Sequence, residues 1–353
     1  MKSKFFVLAV LLLSIVACQT ASGPAPDPGP ILNRIAFGSC ARSDRDQPIW
    51  ESIVASDPEL FLFAGDNIYA DLIRVPRQKA DITAKYVEFA VKPGWALLNR
   101  QCPILATWDD HDFGKDDAGV EWELKDASQE AFLEFFAPDA GPERRSRAGV
   151  YHSETFGPVG FRVQVILLDT RYHRTGLTKD AERRAAGFGP YVPNASTEGT
   201  LLGEEQWAWL GERLRERADV RLIVSSIQVV SEEHGWECWA NMAHERQRLY
   251  DLIRSTRANG VVVLSGDRHL LEISVDENRG PYPIWDFTSS GFNWGESQIK
   301  EANRFRRGGV FREPNFGVVS IDWDRLDPVI TLEGRNGEGR PLVKQSIPLS
   351  SLR

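Results

Sequence analysis

The segment Phe63–Asp71, FAGDNIYAD, sets a glycine, two carboxylates, an asparagine and a phenol directly behind an apolar run. A hydrophobic core has no use for Asp66, Asn67, Tyr69 and Asp71. The arrangement recurs along the chain. Gly38-Ser39-Cys40 follows RIAF, Asp109-Asp110-His111-Asp112 follows CPILATW, Asp169-Thr170-Arg171 follows FRVQVILL, and Gly266-Asp267-Arg268-His269 follows GVVVLS. With Asp116 and Asp117 close behind, these groups supply carboxylates, imidazoles, a thiol and a phenol. Carboxylates that converge repel one another and raise each other's pKa unless cations hold them. Metal ions are the natural counter-charge. Oxygen ligands suit Ca²⁺, Mg²⁺ or Fe³⁺ and imidazole and thiolate suit Zn or Fe, so the set points to a mixed cluster.

Such groups need elements that bring them together. The apolar runs are rich in β-formers and read as strands buried on both faces, while PIWESIVAS and HERQRLYDLIRSTR between them read as helices. In sheets of this kind ligands sit beyond the carboxyl ends of the strands. Each run delivers its polar groups at that end. Gly38, Gly65 and Gly266 are placed to let the backbone turn sharply there. After Pro283 the pattern changes to strands and turns, as in YPIWDFTSSG, FGVVSIDWD and VITLEGRNGEG, which predicts a second, more antiparallel sheet packed on the first.

The 353 residues, 42% of them hydrophobic, can bury a large core, and no repeat or low-complexity break divides residues 31–353, which are read as one domain. The net charge of −8 with no long basic run argues against a nucleic-acid groove. Residues 1–18 carry lysines at 2 and 4 and an apolar run from Phe5 to Ala17, shorter than the roughly 20 residues of a membrane span. This is an export signal. It ends in IVAC, similar to the lipobox of bacterial lipoproteins, which implies cleavage before Cys18 and lipid on its sulfur; the alternative is a plain secreted protein. Residues 19–30, QTASGPAPDPGP, form a solvated Pro/Gly tether. Cys40, Cys102 and Cys238 are then an odd number of thiols in an exported chain, so at least one is free, bridged to another molecule or a ligand.

Taken in order, GSC, GDNIYAD, ATWDDHDFGKDD and LSGDRH resemble the alkaline phosphatase D (PhoD-like) family of metallophosphatases, as do LLDTRYHR and IQVVSEEHGWECWANMAHERQRLYDLI. The resemblance implies an α/β fold, the metallophosphoesterase-type four-layer α/β/β/α sandwich. It implies that Cys40 and Tyr69 bind Fe³⁺ as thiolate and phenolate and that Asp66 bridges the iron to Ca²⁺. Asp109, Asp116, Asp267 and His269 would complete the iron and calcium shells, with one or two calcium ions; other divalent metals stay open. At 116 the family often has asparagine, and the aspartate here adds a negative charge. The activity implied is hydrolysis of phosphate monoesters, diesters or both, by in-line attack of a metal-activated hydroxide or oxide. Arg171 and Arg268 are candidate phosphate clamps, and His111 is placed to protonate the leaving alkoxide.

The expected protein is an exported, lipid-anchored monomer acting on small-molecule phosphate esters, at the outer membrane or in the periplasm if the host is Gram-negative. The alternatives are a mainly phosphodiesterase or phospholipase-type role, or a non-catalytic phosphate- or metal-binding lipoprotein. Other readings stay open at this point. Arg171 could pair with Asp169, and Asp110 and Asp112 could brace neighbouring ligands. Asp71 and Asp117 read as solvated loop residues, and His152 and His173 as surface residues. His234 and His244 flank GWECWAN, either as substrate rim or beside a helix beginning near Ala243. Cys102 and Cys238 could form a disulfide.

Overall fold

The computed structural model describes residues 29–186, 188–295 and 301–353. The export segment with Cys18 and the tether through residue 28 lie outside the described residues. Two large mixed sheets make up the body. In the six-stranded sheet Arg34–Gly38, Leu60–Ala64 and Ile104–Thr107 run parallel, and Asn315–Asp322, Val329–Asn336 and Pro341–Pro348 add an antiparallel meander beside Arg34–Gly38. In the seven-stranded sheet Val163–Leu167, Val220–Ser225, Val261–Ser265 and Ile284–Ser289 run parallel. His152–Phe156 lies antiparallel at one side, and Leu271–Asp276 and Arg306–Phe311 at the other.

Side-chain alternation explains the layering. Ile35, Phe37, Leu60 and Leu62 join the cluster shared with Val163, Val165, Leu222 and Val263, between the sheets. Their neighbours Ala36, Phe61 and Phe63 point the other way, to Ile49, Trp50 and Ile53 of helix Ile49–Ala55, Ile82, Tyr86 and Phe89 of helix Lys79–Ala90, and Phe132 of helix Lys125–Phe136. Burying Phe61 and Phe63 contributes roughly 1.5–3 kcal/mol each. Helices Gly203–Arg215 and Ala243–Thr256 add Trp207, Leu210, Leu249 and Ile253 to the cluster that holds the seven-stranded sheet. The order is therefore helices, sheet, sheet, helices, as the sequence implied. No helix among the described residues is long and apolar enough to cross a membrane.

Three expectations change. The strands after Pro283 do not form a sheet of their own: Ile284–Ser289, buried at every position but Trp285, enters the parallel part of one sheet, while the half-buried, alternating Val329–Asn336 continues the other. The parallel runs divide between both sheets, a partition that continuous apolarity does not encode. Of the three glycines, Gly65 alone has a positive φ, 100°. A Cβ at Gly266 would meet the Ala64 carbonyl and Ser39 Oγ, each at 2.6 Å, so that glycine is required for close approach. Finally, Cys40, Cys102 and Cys238 are all free and buried, which removes the disulfide.

Candidate metal centre

The two sheets end together. Thr107 Oγ1 donates to the Leu168 carbonyl at 2.6 Å, and Ser39 Oγ donates to the Ser289 carbonyl at 3.2 Å, each bond joining one sheet to the other. Cys40, Asp66, Asp267 and His269, each just past a strand end, adopt φ of 63°, 51°, 69° and 52°. Non-glycine residues in this left-handed region cost of order 1–3 kcal/mol and persist where the surroundings enforce them, above all at functional sites. Here the strain turns four ligand-type side chains inward.

Cys40 Sγ stands 3.4 Å from Asp66 Oδ2, and Tyr69 Oη is 3.5 Å from the same oxygen and 3.2 Å from His269 Nε2. Ligand atoms of Cys40, Asp66 and His269 lie within 4.8 Å of one another; so do those of Asp66, Asp110 and His111, of Asp109, Asp110 and Asp267, and of Asp110, Asp116 and Asp117. The expected residues thus come together, with Asp116 on the outer side. Asp110 belongs to three of the four groups, a more central place than bracing a neighbour. Asp112 does brace: it accepts from the backbone N–H of Asn67, Ile68 and Asp109.

Burial, and then the surrounding carboxylates, push Cys40, Asp66 and Tyr69 well above their ordinary values. Burial raises Asp109 to about 6 despite Arg171, and raises Asp267 strongly despite Arg268. Burial, with Glu237 and Asp110, takes Asp117 to about 9. This is a pocket short of positive charge. The buried oxygens Asp109 Oδ2, Asp267 Oδ2 and Asn67 Oδ1 have no hydrogen-bond partner among the described residues. A thiol, a phenol, an imidazole and convergent carboxylates with orphaned oxygens fit metal ions both by ligand type and by charge.

Several residues carry more than their sequence context suggested. Asp71 is not a solvated loop residue: one oxygen lies 2.7 Å from His111 Nδ1 and the other accepts from the Asp116 N–H at 2.7 Å. Because an ionised carboxylate can only accept, Nδ1 carries the proton and Asp71 fixes the ring, which also stacks on Tyr69 at 4.2 Å. Burial would lower the His111 pKa, but Asp110, Asp66 and Asp71 outweigh it and raise it well above normal. Asp117, also expected in solvent, accepts from Tyr191 Oη. Arg171 is fully buried and ion-paired to Asp109 at 2.5 Å and Glu237 at 2.6 Å; Asp169 takes only its backbone N–H. Arg268 pairs with Glu301 and packs over Trp236. His234 is buried, with Nδ1 accepting from the Trp236 N–H, and His244 Nε2 meets the Gly199 carbonyl at 2.7 Å at the start of helix Ala243–Thr256.

Glu237 and Ser226 were not singled out by sequence. Ser226 Oγ donates to Asp109 Oδ1 at 2.7 Å from the end of Val220–Ser225, a strand whose apolar run VRLIV before Ser-Ser was the available signal. Glu237 had only its place inside GWECWAN.

Two mixed sheets with acid, thiol and imidazole groups at a shared end define a metallophosphoesterase-type protein, and solved structures agree in fold. The structure of PhoD superposes with a TM-score of 0.70 at 17% identity, over 94% of this chain and 72% of its own. A purple acid phosphatase from yellow lupin (Lupinus luteus) seeds gives 0.58 at 12% identity, over 92% and 55%. GAP50, the anchor in the inner membrane complex of Plasmodium, gives 0.57 at 12% identity, over 91% and 90%. The chain belongs to the PhoD-like phosphatase family, which it matches over residues 35–307. Alkaline phosphatase D of Bacillus subtilis (strain 168) is 24% identical over 293 residues, 71% of this chain and 48% of that protein, so the chain spans about half the length of this curated relative.

Proposed function

We propose that this chain hydrolyses phosphate esters at the strand-end centre. The observation that carries the reading is the convergence of Cys40, Tyr69 and His269 on Asp66, and of Asp109 and Asp267 on Asp110, which itself groups with Asp66 and His111. A non-catalytic binding lipoprotein would tolerate loss of some of these groups, yet every strand end retains its own. Turnover of p-nitrophenyl phosphate and bis(p-nitrophenyl) phosphate tests the proposal and separates monoester from diester preference; no turnover of either by metal-replete protein overturns it.

Bound cations would supply counter-charge to the phosphate and an activated water. The protein's own groups set the rest. Cys40, Tyr69, Asp66 and His269 would hold one cation, for which thiolate and phenolate favour Fe³⁺. The carboxylate groups around Asp110 suit Ca²⁺. His111, with its Nδ1 proton fixed by Asp71, is the candidate proton donor to the leaving oxygen. Arg171 holds Asp109 in place, which leaves Arg268, paired with Glu301 and slightly less enclosed, as the candidate phosphate clamp. Asp71→Asn is expected to lower kcat about tenfold with a smaller change in KM, as fits a residue that positions one of the groups supplying 10²–10⁴-fold. Unchanged kcat would free His111 from Asp71.

Thiolate and phenolate bonds to ferric iron absorb visible light, so the purified protein is expected to be coloured, with Tyr69→Phe shifting or bleaching the band. Elemental analysis alongside the spectrum decides the matter: a colourless, active enzyme holding zinc or magnesium alone rules out iron. We further propose an exported, lipid-anchored location, on the Phe5–Ala17 run and IVAC ending. Release of a Cys18→Ser form from the membrane fraction is its test.

A further inference from the structure

Trp294 packs against the candidate centre and carries two cations, one of which, Arg42, also lies over the Tyr69 ring at 5.9 Å. Its ring lies 4.5 Å from the His269 ring and 6.4 Å from Tyr69, while the guanidinium carbons of Arg42 and Arg45 lie over it at 4.8 and 5.0 Å. Arg42 is fixed by its backbone: its N–H donates to Asn293 Oδ1 at 2.9 Å, and its carbonyl accepts from Asn293 Nδ2 at 2.8 Å. Asp44 takes both arms of its guanidinium, at 2.9 and 2.6 Å, and neutralises it. Arg45 differs. It is exposed, and among the described residues it has no carboxylate partner.

An exposed guanidinium held on an indole, with no ion pair among the described residues, is already ordered, so an anion that binds it forgoes little side-chain entropy. The Trp294 ring touches both the His269 ring and the Arg45 guanidinium, so the exposed Arg45 charge lies at the rim of the candidate centre, one ring away from His269. We propose that Arg45 on Trp294 forms a subsite for a second negative charge, so that preferred substrates are phosphate esters whose alcohol carries a carboxylate or another phosphate. This rests on the phosphatase reading, and guanidinium matches either anion with paired hydrogen bonds.

The test compares phenyl phosphate with 4-carboxyphenyl phosphate, which differ by one distal carboxylate. The ratio of kcat/KM values, carboxylated over plain, is expected to fall about tenfold in Arg45→Gln, the scale of one charge-assisted hydrogen bond. Arg340→Gln, a surface cation on the C-terminal hairpin, is expected to keep it. Calorimetric Kd values for phenylphosphonate and 4-carboxyphenylphosphonate on the metal-replete protein read the same ratio without turnover. An unchanged Kd ratio in Arg45→Gln overturns the subsite. A binding preference for the carboxylated phosphonate that is lost in Arg45→Gln, while neither ester is hydrolysed, supports the subsite and overturns the phosphatase reading.

Discussion

Asp66→Ala is expected to remove essentially all hydrolysis, at least about 10³-fold in kcat/KM, together with most of the bound metal. Asp66 is 1% exposed, lies at φ 51°, and stands within 3.5 Å of both Cys40 Sγ and Tyr69 Oη. It also belongs to the group that contains Asp110 and His111, so one carboxylate faces two candidate cation positions. Without it, two cations would face each other with no anion between, and once the cation is lost the Cys40 thiol and Tyr69 phenol lack the positive charge that would make their deprotonation worthwhile. Metal-derived charge stabilisation amounts to several kcal/mol, and each 1.36 kcal/mol is tenfold in rate. Elemental analysis and kinetics on the same preparation check the result. Near-normal turnover in Asp66→Ala would place the chemistry elsewhere.

How far the sequence leads can be judged at particular residues. Strand ends were legible because a buried strand is a continuous apolar run and the first polar group after it marks where the run stops; Cys40, Asp66, Asp109, Asp267 and His269 all meet in this way. The family resemblance added the roles, which residue types alone leave open. Asp71 and Asp117 were misjudged because a loop aspartate looks alike whether it faces water or a histidine forty residues away. Arg45 and Trp294 are separated by most of the chain, and nothing in either segment announces the stack. The assignment of strands to two sheets depends on pairing at long range, which local apolarity does not record.

Glu237 is the residue whose importance was least visible and whose loss is expected to cost the most stability. It is 2% exposed and sits between Arg171 at 2.6 Å and Arg174 at 3.2 Å, both nearly or fully buried. Burial would raise its pKa, but Arg171 and Arg174 outweigh this and hold it below the ordinary glutamate value, so it is the anion of the set. Glu237→Gln keeps the shape and deletes the charge, leaving Arg171 with Asp109 and Asp110 and the buried Arg174 with no carboxylate partner among the described residues. Breaking a buried pair on one side costs about 3–5 kcal/mol. Since glutamine still accepts one hydrogen bond, about 3 kcal/mol is expected, read from the denaturant midpoint at unchanged slope. Glu154→Gln, which disturbs a half-exposed contact with His152 at 3.1 Å, is expected to cost under about 1 kcal/mol. The same deletion acts on the metal centre with a definite sign. Freed of Glu237, the Arg171 charge falls more fully on Asp109 and Asp110, which lowers their attraction for a cation, so metal-ion affinity is expected to drop along with stability. A stable Glu237→Gln protein with undiminished metal binding would mean that Arg171 is satisfied by Asp109 alone, and that the buried pair serves packing rather than the site.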